Sequence, residues 1–122
     1  MNDTHSYTPC PHSTEELLCG IFRQSFSEGL LKGFSSVVEF LSGDILVLHS
    51  DSPGGEKVDF THSYFIRRLS SRRLLLGFSD PSQDLHVITV YDFNVMKVYA
   101  FIYVHRQVTT ARGTFTWKKR EN

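Results

Sequence analysis

A chain of 122 residues fits one domain and is long enough to bury a modest core without disulfide or metal staples. Its 13 Lys and Arg balance 13 Asp and Glu, so the basic footprint of a nucleic-acid binder is missing. Apolar residues at 40% and aromatic residues at 13% are the usage of a globular chain rather than a disordered one.

Cys10 and Cys19 both lie near the N-terminus and read as free thiols, since a secreted disulfide scaffold needs more cysteines, spread more widely. The first dozen residues are polar, without the apolar segment of a signal peptide. No run approaches the ~18 apolar residues of a membrane span. The expectation is a soluble, cytoplasmic protein with no membrane or nucleic-acid partner. A neutral chain is prone to self-association, so a homodimer is one expected assembly.

Residues 1–12 read as a flexible arm, kept extended by Pro9 and Pro11, ahead of a single domain over 13–122. Ser13 and Glu16 can form a capping box at a helix start. Leu18, Phe22 and Phe26 then recur every fourth residue, joined by Leu17 and Ile21. This spacing predicts a helix over 13–28, ended by Gly29, that covers a sheet or a barrel mouth.

From Gly33 the period changes. Ser36–Leu41 and Ile45–His49 flank the turn Ser42-Gly43-Asp44 and read as a hairpin, and Asp51–Gly55 reads as a loop. Val58, Phe60, His62, Tyr64 and Ile66 alternate with Asp59, Thr61, Ser63, Phe65 and Arg67, so each set shares one strand face. Further strands are expected at Leu74–Phe78, His86–Tyr91, Val98–Val104 and Val108–Trp117. The total is about seven strands, with no helices between them, which argues for a meander rather than βαβ units. The fold class is therefore mainly β: an antiparallel meander curled into a barrel or curved half-barrel, with one N-terminal helix.

No motif of high specificity carries chemistry. The six histidines form no i,i+4 pair, and P-loop, GxGxxG and GxSxG strings are missing, so no metal and no cofactor is expected. The most suggestive face carries His62 and Tyr64 among Val58, Phe60 and Ile66. A histidine in an apolar cup can act as acid or base near neutrality, and a tyrosine hydroxyl beside it can hold a carbonyl or enol oxygen. Both are equally the side chains of an ordinary core with satisfied polar tips.

Tyr91 shares its face with Val87 and Thr89, which suits the interior, and Asp92 reads as a turn residue bonding the backbone near Asn94. Tyr99, Phe101, Tyr103 and His105 form one row of their strand, and Val98, Ala100, Ile102 and Val104 form the other. If the aliphatic row is inside, the aromatic row is a dimer surface. If the order is reversed, Tyr103 and His105 line the pocket. Glu39 is a single carboxylate on an otherwise apolar strand. The basic hairpin Arg67, Arg68, Arg72, Arg73 reads as a solvated loop that blunts a sheet edge.

The stretch from Asp59 to Gly113 resembles the lipocalin-like domain of the MoaF family. The resemblance rests on Tyr64, on Leu74-Leu75-Leu76-Gly77-Phe78 closing on Ser79-Asp80-Pro81, and on Val87-Ile88-Thr89-Val90-Tyr91-Asp92-Phe93. Val98, Ala100 and Gly113 complete it. It implies a calycin-like small-molecule cup. The chain departs from that pattern at its start, where helix 13–28 replaces a strand-rich segment and puts barrel closure in doubt.

The functional expectation is a barrel that binds a largely apolar metabolic intermediate, for example from secondary metabolism. As an enzyme it would be a cofactor-free isomerase, cyclase or lyase, with His62 and Tyr64 catalytic. Glu39, Phe60, Phe78, Tyr91, Tyr103 and His105 are the candidate ligand contacts. The alternative is an interaction or homodimerisation module built on Tyr99, Phe101 and Tyr103.

Overall fold

The computed structural model describes residues 10, 11, 13–41 and 44–120. Most of the expected arm 1–12 and the turn at Ser42-Gly43 lie outside the described residues. The chain order is α1 (Thr14–Leu18), then β1 (Gly20–Gly29), β2 (Ser35–Phe40), β3 (Ile45–Asp51) and β4 (Lys57–Ser70). β5 (Arg73–Asp80), a short 3-10 turn (Pro81–Gln83), β6 (Leu85–Asp92), β7 (Lys97–Val104) and β8 (Gln107–Lys119) follow. The eight strands form a closed barrel in sequence order, each antiparallel to its neighbours, with β8 pairing back onto β1.

The expected helix over 13–28 is corrected. Its start is real: Ser13 is the N-cap, and its Oγ accepts from the Glu16 N–H at 3.1 Å. The helix ends at Leu18, and β1 begins at Gly20. A recurrence of four is the spacing common to one helical turn and two strand repeats, so Leu18, Phe22 and Phe26 fit both. The residue that separates the two readings is Gln24. In β1 it is buried with Phe22 and Phe26, while Arg23, Ser25 and Ser27 are exposed.

β1 also supplies the closure that the sequence left in doubt. Gly20 to Phe26 pair with Lys119 to Gly113, and after a register shift Glu28 and Gly29 pair with Arg112 and Ala111. The Arg112 guanidinium pairs with the Glu28 carboxylate over this seam. The pairing of every strand on both sides removes free sheet edges.

The barrel interior is divided along its axis. At the α1 end it is filled by an aromatic floor. Phe22 stacks on Tyr91 with centroids 4.2 Å apart, and Phe115 packs against Tyr91 at 4.9 Å and Phe93 at 5.0 Å. Phe40 meets Phe22 edge-on and Leu17 of α1 is buried with this group. The Trp117 indole N–H donates to the Leu17 carbonyl at 3.4 Å, which ties α1 to β8. At the other end the β1–β2 loop, residues 30–34, and the β3–β4 loop meet, with Gly33 packed close against Pro53.

β7 settles the two-row ambiguity. Val98, Ala100 and Ile102 are buried, and Val104 packs against the core. Phe101 and Tyr103 are exposed on the outer surface. No described helix is long and apolar enough to cross a membrane.

Candidate functional site

Above the aromatic floor the barrel is hollow. A cavity of about 320 Å³ is lined by side chains from β1 to β7 and by Leu30, Leu31 and Phe34 of the β1–β2 loop. That volume lies at the small end of the range for ligand pockets. The walls are apolar, including Leu46, Leu48, Leu76, Phe78, Val87 and Ile102. No Asp, Glu, Lys or Arg is among the described lining residues.

The few polar groups in this lining are largely paired with one another. The Tyr91 hydroxyl donates to Gln24 Oε1 at 2.7 Å, and both residues are buried. Burial pushes the Tyr91 phenol far above its ordinary value, so it stays a protonated donor. Ser36 Oγ meets Ser50 Oγ at 3.4 Å. Thr89 is buried on the same interior surface.

His62 differs from these. Its ring is held between Phe60, centroids 5.8 Å apart, and Phe78, at 5.1 Å, both nearly parallel to it. Its Nε2 is buried and has no hydrogen-bond partner among the described residues. A buried polar atom left unpaired costs about 1–3 kcal/mol.

Four sequence-derived candidates therefore line the cavity: Phe60, His62, Phe78 and Tyr91. The other four are placed elsewhere. Tyr64 faces inward but lies toward the floor, its ring 5.1 Å from Phe40, and it is not part of the cavity lining. Burial, with the Asp44 carboxylate as a second cause, raises the Tyr64 phenol above its ordinary value. Strand alternation gave Tyr64 the correct face, but two residues along a tilted strand move it from the hollow end toward the filled one.

Glu39 is on the outer surface, with a carboxylate oxygen 3.6 Å from His49 Nε2 and another 3.7 Å from Arg120. Tyr103 packs outside against His86, the two rings tilted with centroids 5.8 Å apart. His105 and Arg106 are the two central residues of the β7–β8 hairpin, both at positive φ, and both are exposed. Gln24, Ser36, Ser50 and Thr89 were not singled out beforehand as contacts. Gln24 was hidden by the helix reading. Ser36 and Ser50 are small polar residues that alternation places inside without marking them as special.

Two other features have ordinary accounts. An open groove of about 730 Å³ runs over the outer face of β1, β2, β3 and β8. Two pairs close locally on it, His49 with Asp59 at 2.9 Å and Lys57 with Asp51 at 3.1 Å, as on a solvated surface. The basic hairpin is occupied in holding the fold. Arg68 donates to the carbonyls of Ser71 and Pro11, Arg72 to that of Phe93, and Arg73 pairs with Asp92 at 3.1 Å. Asp92 also accepts from the Asn94 N–H at 2.9 Å, the turn role expected of it. No group of three or more described His, Cys, Asp or Glu is arranged to hold a metal ion.

The barrel is similar to a solved structure, that of "a putative beta-lactamase from Burkholderia vietnamiensis". The TM-score is 0.70 at 11% sequence identity, over 91% of this chain and 100% of that one. At this identity the likeness is one of fold. No family model matches the chain, so membership of the MoaF family is not established. No curated protein matches it either. The eight-stranded antiparallel barrel fits a calycin-like architecture.

Proposed function

We propose that this barrel is a cup for a compact, largely apolar small molecule, held above the aromatic floor and entered from the end opposite α1. The observation that carries the reading is the 320 Å³ apolar cavity. A filled interior would have left no room for a ligand. The setting proposed is the cytoplasm, where Cys10 and Cys19 remain thiols.

If the cup is also a catalyst, the reaction class is a cofactor-free isomerisation, cyclisation or elimination. The chain would contribute confinement of one reactive conformer and one proton-transfer or hydrogen-bonding group, His62. Tyr64 is not offered a catalytic role, because it sits beside Phe40 rather than on the cavity.

The cup is tested with 1,4-dimethylbenzene, followed by NMR shifts of the Leu76, Ala100 and Ile102 methyl groups. Saturable shifts at these interior residues are expected. Ala100→Leu adds bulk to the cavity wall and should weaken binding about tenfold. Shifts confined to the outer groove, or affinity unaffected by Ala100→Leu, would remove the reading.

A second reading, a homodimerisation module, is favoured by one observation. Phe65, Gly77, Ile88 and Phe101 fall on one register row across β4 to β7. Phe65, Ile88 and Phe101 are 46%, 40% and 45% exposed, a continuous apolar strip on the outer face. Light scattering decides it: a dimer that Phe101→Asp converts to monomer supports the strip as an interface, and a monomeric wild type removes it.

A further inference from the structure

The polar groups of the cavity lining also restrict what the ligand can be. We infer that it is an uncharged hydrophobe with a carbonyl oxygen, a compact ketone, ester or lactone, which enters carbonyl first and sets that oxygen against the Thr89 hydroxyl. This inference rests on the cup reading and deepens it.

Three observations lead there. The first is the place of Thr89. The inward residues of β6 run from Leu85 and Val87 at the open end through Thr89 to Tyr91 at the floor. Thr89 is thus the next inward residue above the Tyr91–Gln24 hydrogen bond. Its register partners are Leu76 and Ala100, which offer its side chain no polar group. Thr89 is 4% exposed, lines the cavity, and its hydroxyl has no partner among the described residues. His62 Nε2 is unpaired as well, but it is closed off from the empty cavity, so an entering ligand meets Thr89 first.

The second is the sense of the unused hydrogen bonds. The buried Tyr91 phenol stays protonated and donates, so Gln24 turns its Oε1 to Tyr91. The N–H groups of Gln24 Nε2 then meet no acceptor among the described residues. Gln24, Ser36 and Ser50 fall on one register row across β1, β2 and β3, and the Ser36–Ser50 contact uses one of that pair's two protons. The lining therefore has donors to spare. A carbonyl oxygen, which only accepts, is the ligand group that uses them.

The third is charge. A carboxylate also accepts, but no Asp, Glu, Lys or Arg is among the described lining residues, so it would be buried without a fixed counter-charge. A neutral carbonyl carries no such penalty. With this oxygen at Thr89, the apolar body extends toward the open end along Phe78 and Val87. A cavity of 320 Å³ holds about ten water-sized groups at ~30 Å³ each, which suits one ring with a short head.

The experiment compares three probes that share a benzene ring and a flat, branched head. Acetophenone carries a carbonyl, α-methylstyrene a methylene in its place, and benzoate a carboxylate. Each is titrated by calorimetry at neutral pH into wild type, Thr89→Val and Thr89→Ser. Val matches Thr in shape and suits a strand, and Ser keeps the hydroxyl. Acetophenone should lose about tenfold in affinity in Thr89→Val and keep most of its affinity in Thr89→Ser. The affinity of α-methylstyrene should not fall in Thr89→Val, and benzoate should bind most weakly to wild type. In proton–nitrogen NMR of wild type, the Gln24 side-chain amide should shift with acetophenone and much less with α-methylstyrene.

Equal loss of acetophenone and α-methylstyrene in Thr89→Val, or no loss of either, would overturn the carbonyl assignment while leaving the cup in place. Tightest binding of benzoate would overturn neutrality. A Gln24 amide unmoved by bound acetophenone would overturn the carbonyl-first orientation. Failure of α-methylstyrene itself to bind wild type would remove the cup and this inference together. If thermal unfolding shows a fold defect in Thr89→Val, the Gln24 amide shift in wild type decides instead.

Discussion

The Tyr91 hydroxyl donates to Gln24 Oε1 at 2.7 Å, joining β6 to β1 between the aromatic floor and the cavity. Both side chains are buried, so neither has water as an easy substitute. Tyr91→Phe keeps the stack on Phe22 and removes only the hydroxyl. It leaves the Gln24 oxygen without its donor, and the expected loss is about 1–3 kcal/mol in urea unfolding. Adding Gln24→Leu should recover part of that loss, since removing both partners is less costly than orphaning one. A double variant whose loss equals the sum of the single losses would show that the pair does not act as a unit.

The division of the interior into floor and cup predicts unequal costs for similar truncations. Phe22 touches Tyr91, Phe93, Phe40 and Phe115, with nothing open beside it. Phe22→Ala should cost about 3–5 kcal/mol, as for a buried aromatic whose surroundings cannot collapse. Phe78 already borders the cavity, so Phe78→Ala widens an existing space and should cost distinctly less. Equal losses in chemical denaturation would mean that the two ends of the barrel are packed alike.

The same division explains what the sequence could and could not disclose. From Ser36 onward, alternation and turn residues located seven strands, and the inward faces of β4 and β6 follow from period two alone. β1 was misread because a four-residue recurrence of Leu18, Phe22 and Phe26 carries no information that separates a helix from a strand. Closure was therefore left in doubt, since β1 is the strand that meets β8. For β7, both rows are apolar, so pattern alone cannot orient it. Its partners do: the aliphatic row meets the inward residues of β6 and β8. Depth along the barrel axis depends on strand tilt and on register across the whole barrel. That is why His62 and Tyr64, on one face of one strand, have different surroundings.

The β1–β8 seam depends on Gly113. A Cβ there would collide with the Ser25 carbonyl oxygen and lie 2.8 Å from Phe26 Cα, both on the neighbouring backbone. Backbone cannot rotate away as a side chain can, so Gly113→Ala should destabilise by about 1–3 kcal/mol or more. Gly77 is the control. The atoms nearest its added Cβ all belong to the Phe65 ring, which is exposed and can turn outward. Gly77→Ala should therefore cost less. Amide exchange in Gly113→Ala should quicken first along Phe22–Phe26 and Gly113–Trp117, and uniform quickening would argue against a seam defect.

Asp80 gives the open end of the barrel a pH dependence. It caps the 3-10 turn between Phe78 and Leu85, two cavity-lining residues. Its Oδ1 accepts from the Ser82 hydroxyl at 2.6 Å and the Ser82 N–H at 3.2 Å, and its Oδ2 from Gln83 Nε2 at 2.9 Å. The Ser82 hydroxyl is the largest cause holding this carboxyl below its ordinary 3.8, with the Ser82 N–H, His62 and Gln83 contributing in the same direction. A folded-state value below the unfolded one means that the carboxylate stabilises the fold above the unfolded value, and that this stability is lost as pH falls through the folded one. Asp80→Ala should therefore unfold at a lower temperature than wild type at pH 7, and the two should converge as the pH is taken well below 3.8. A gap of constant size across that range would show that Asp80 acts through its shape in the turn rather than through its charge.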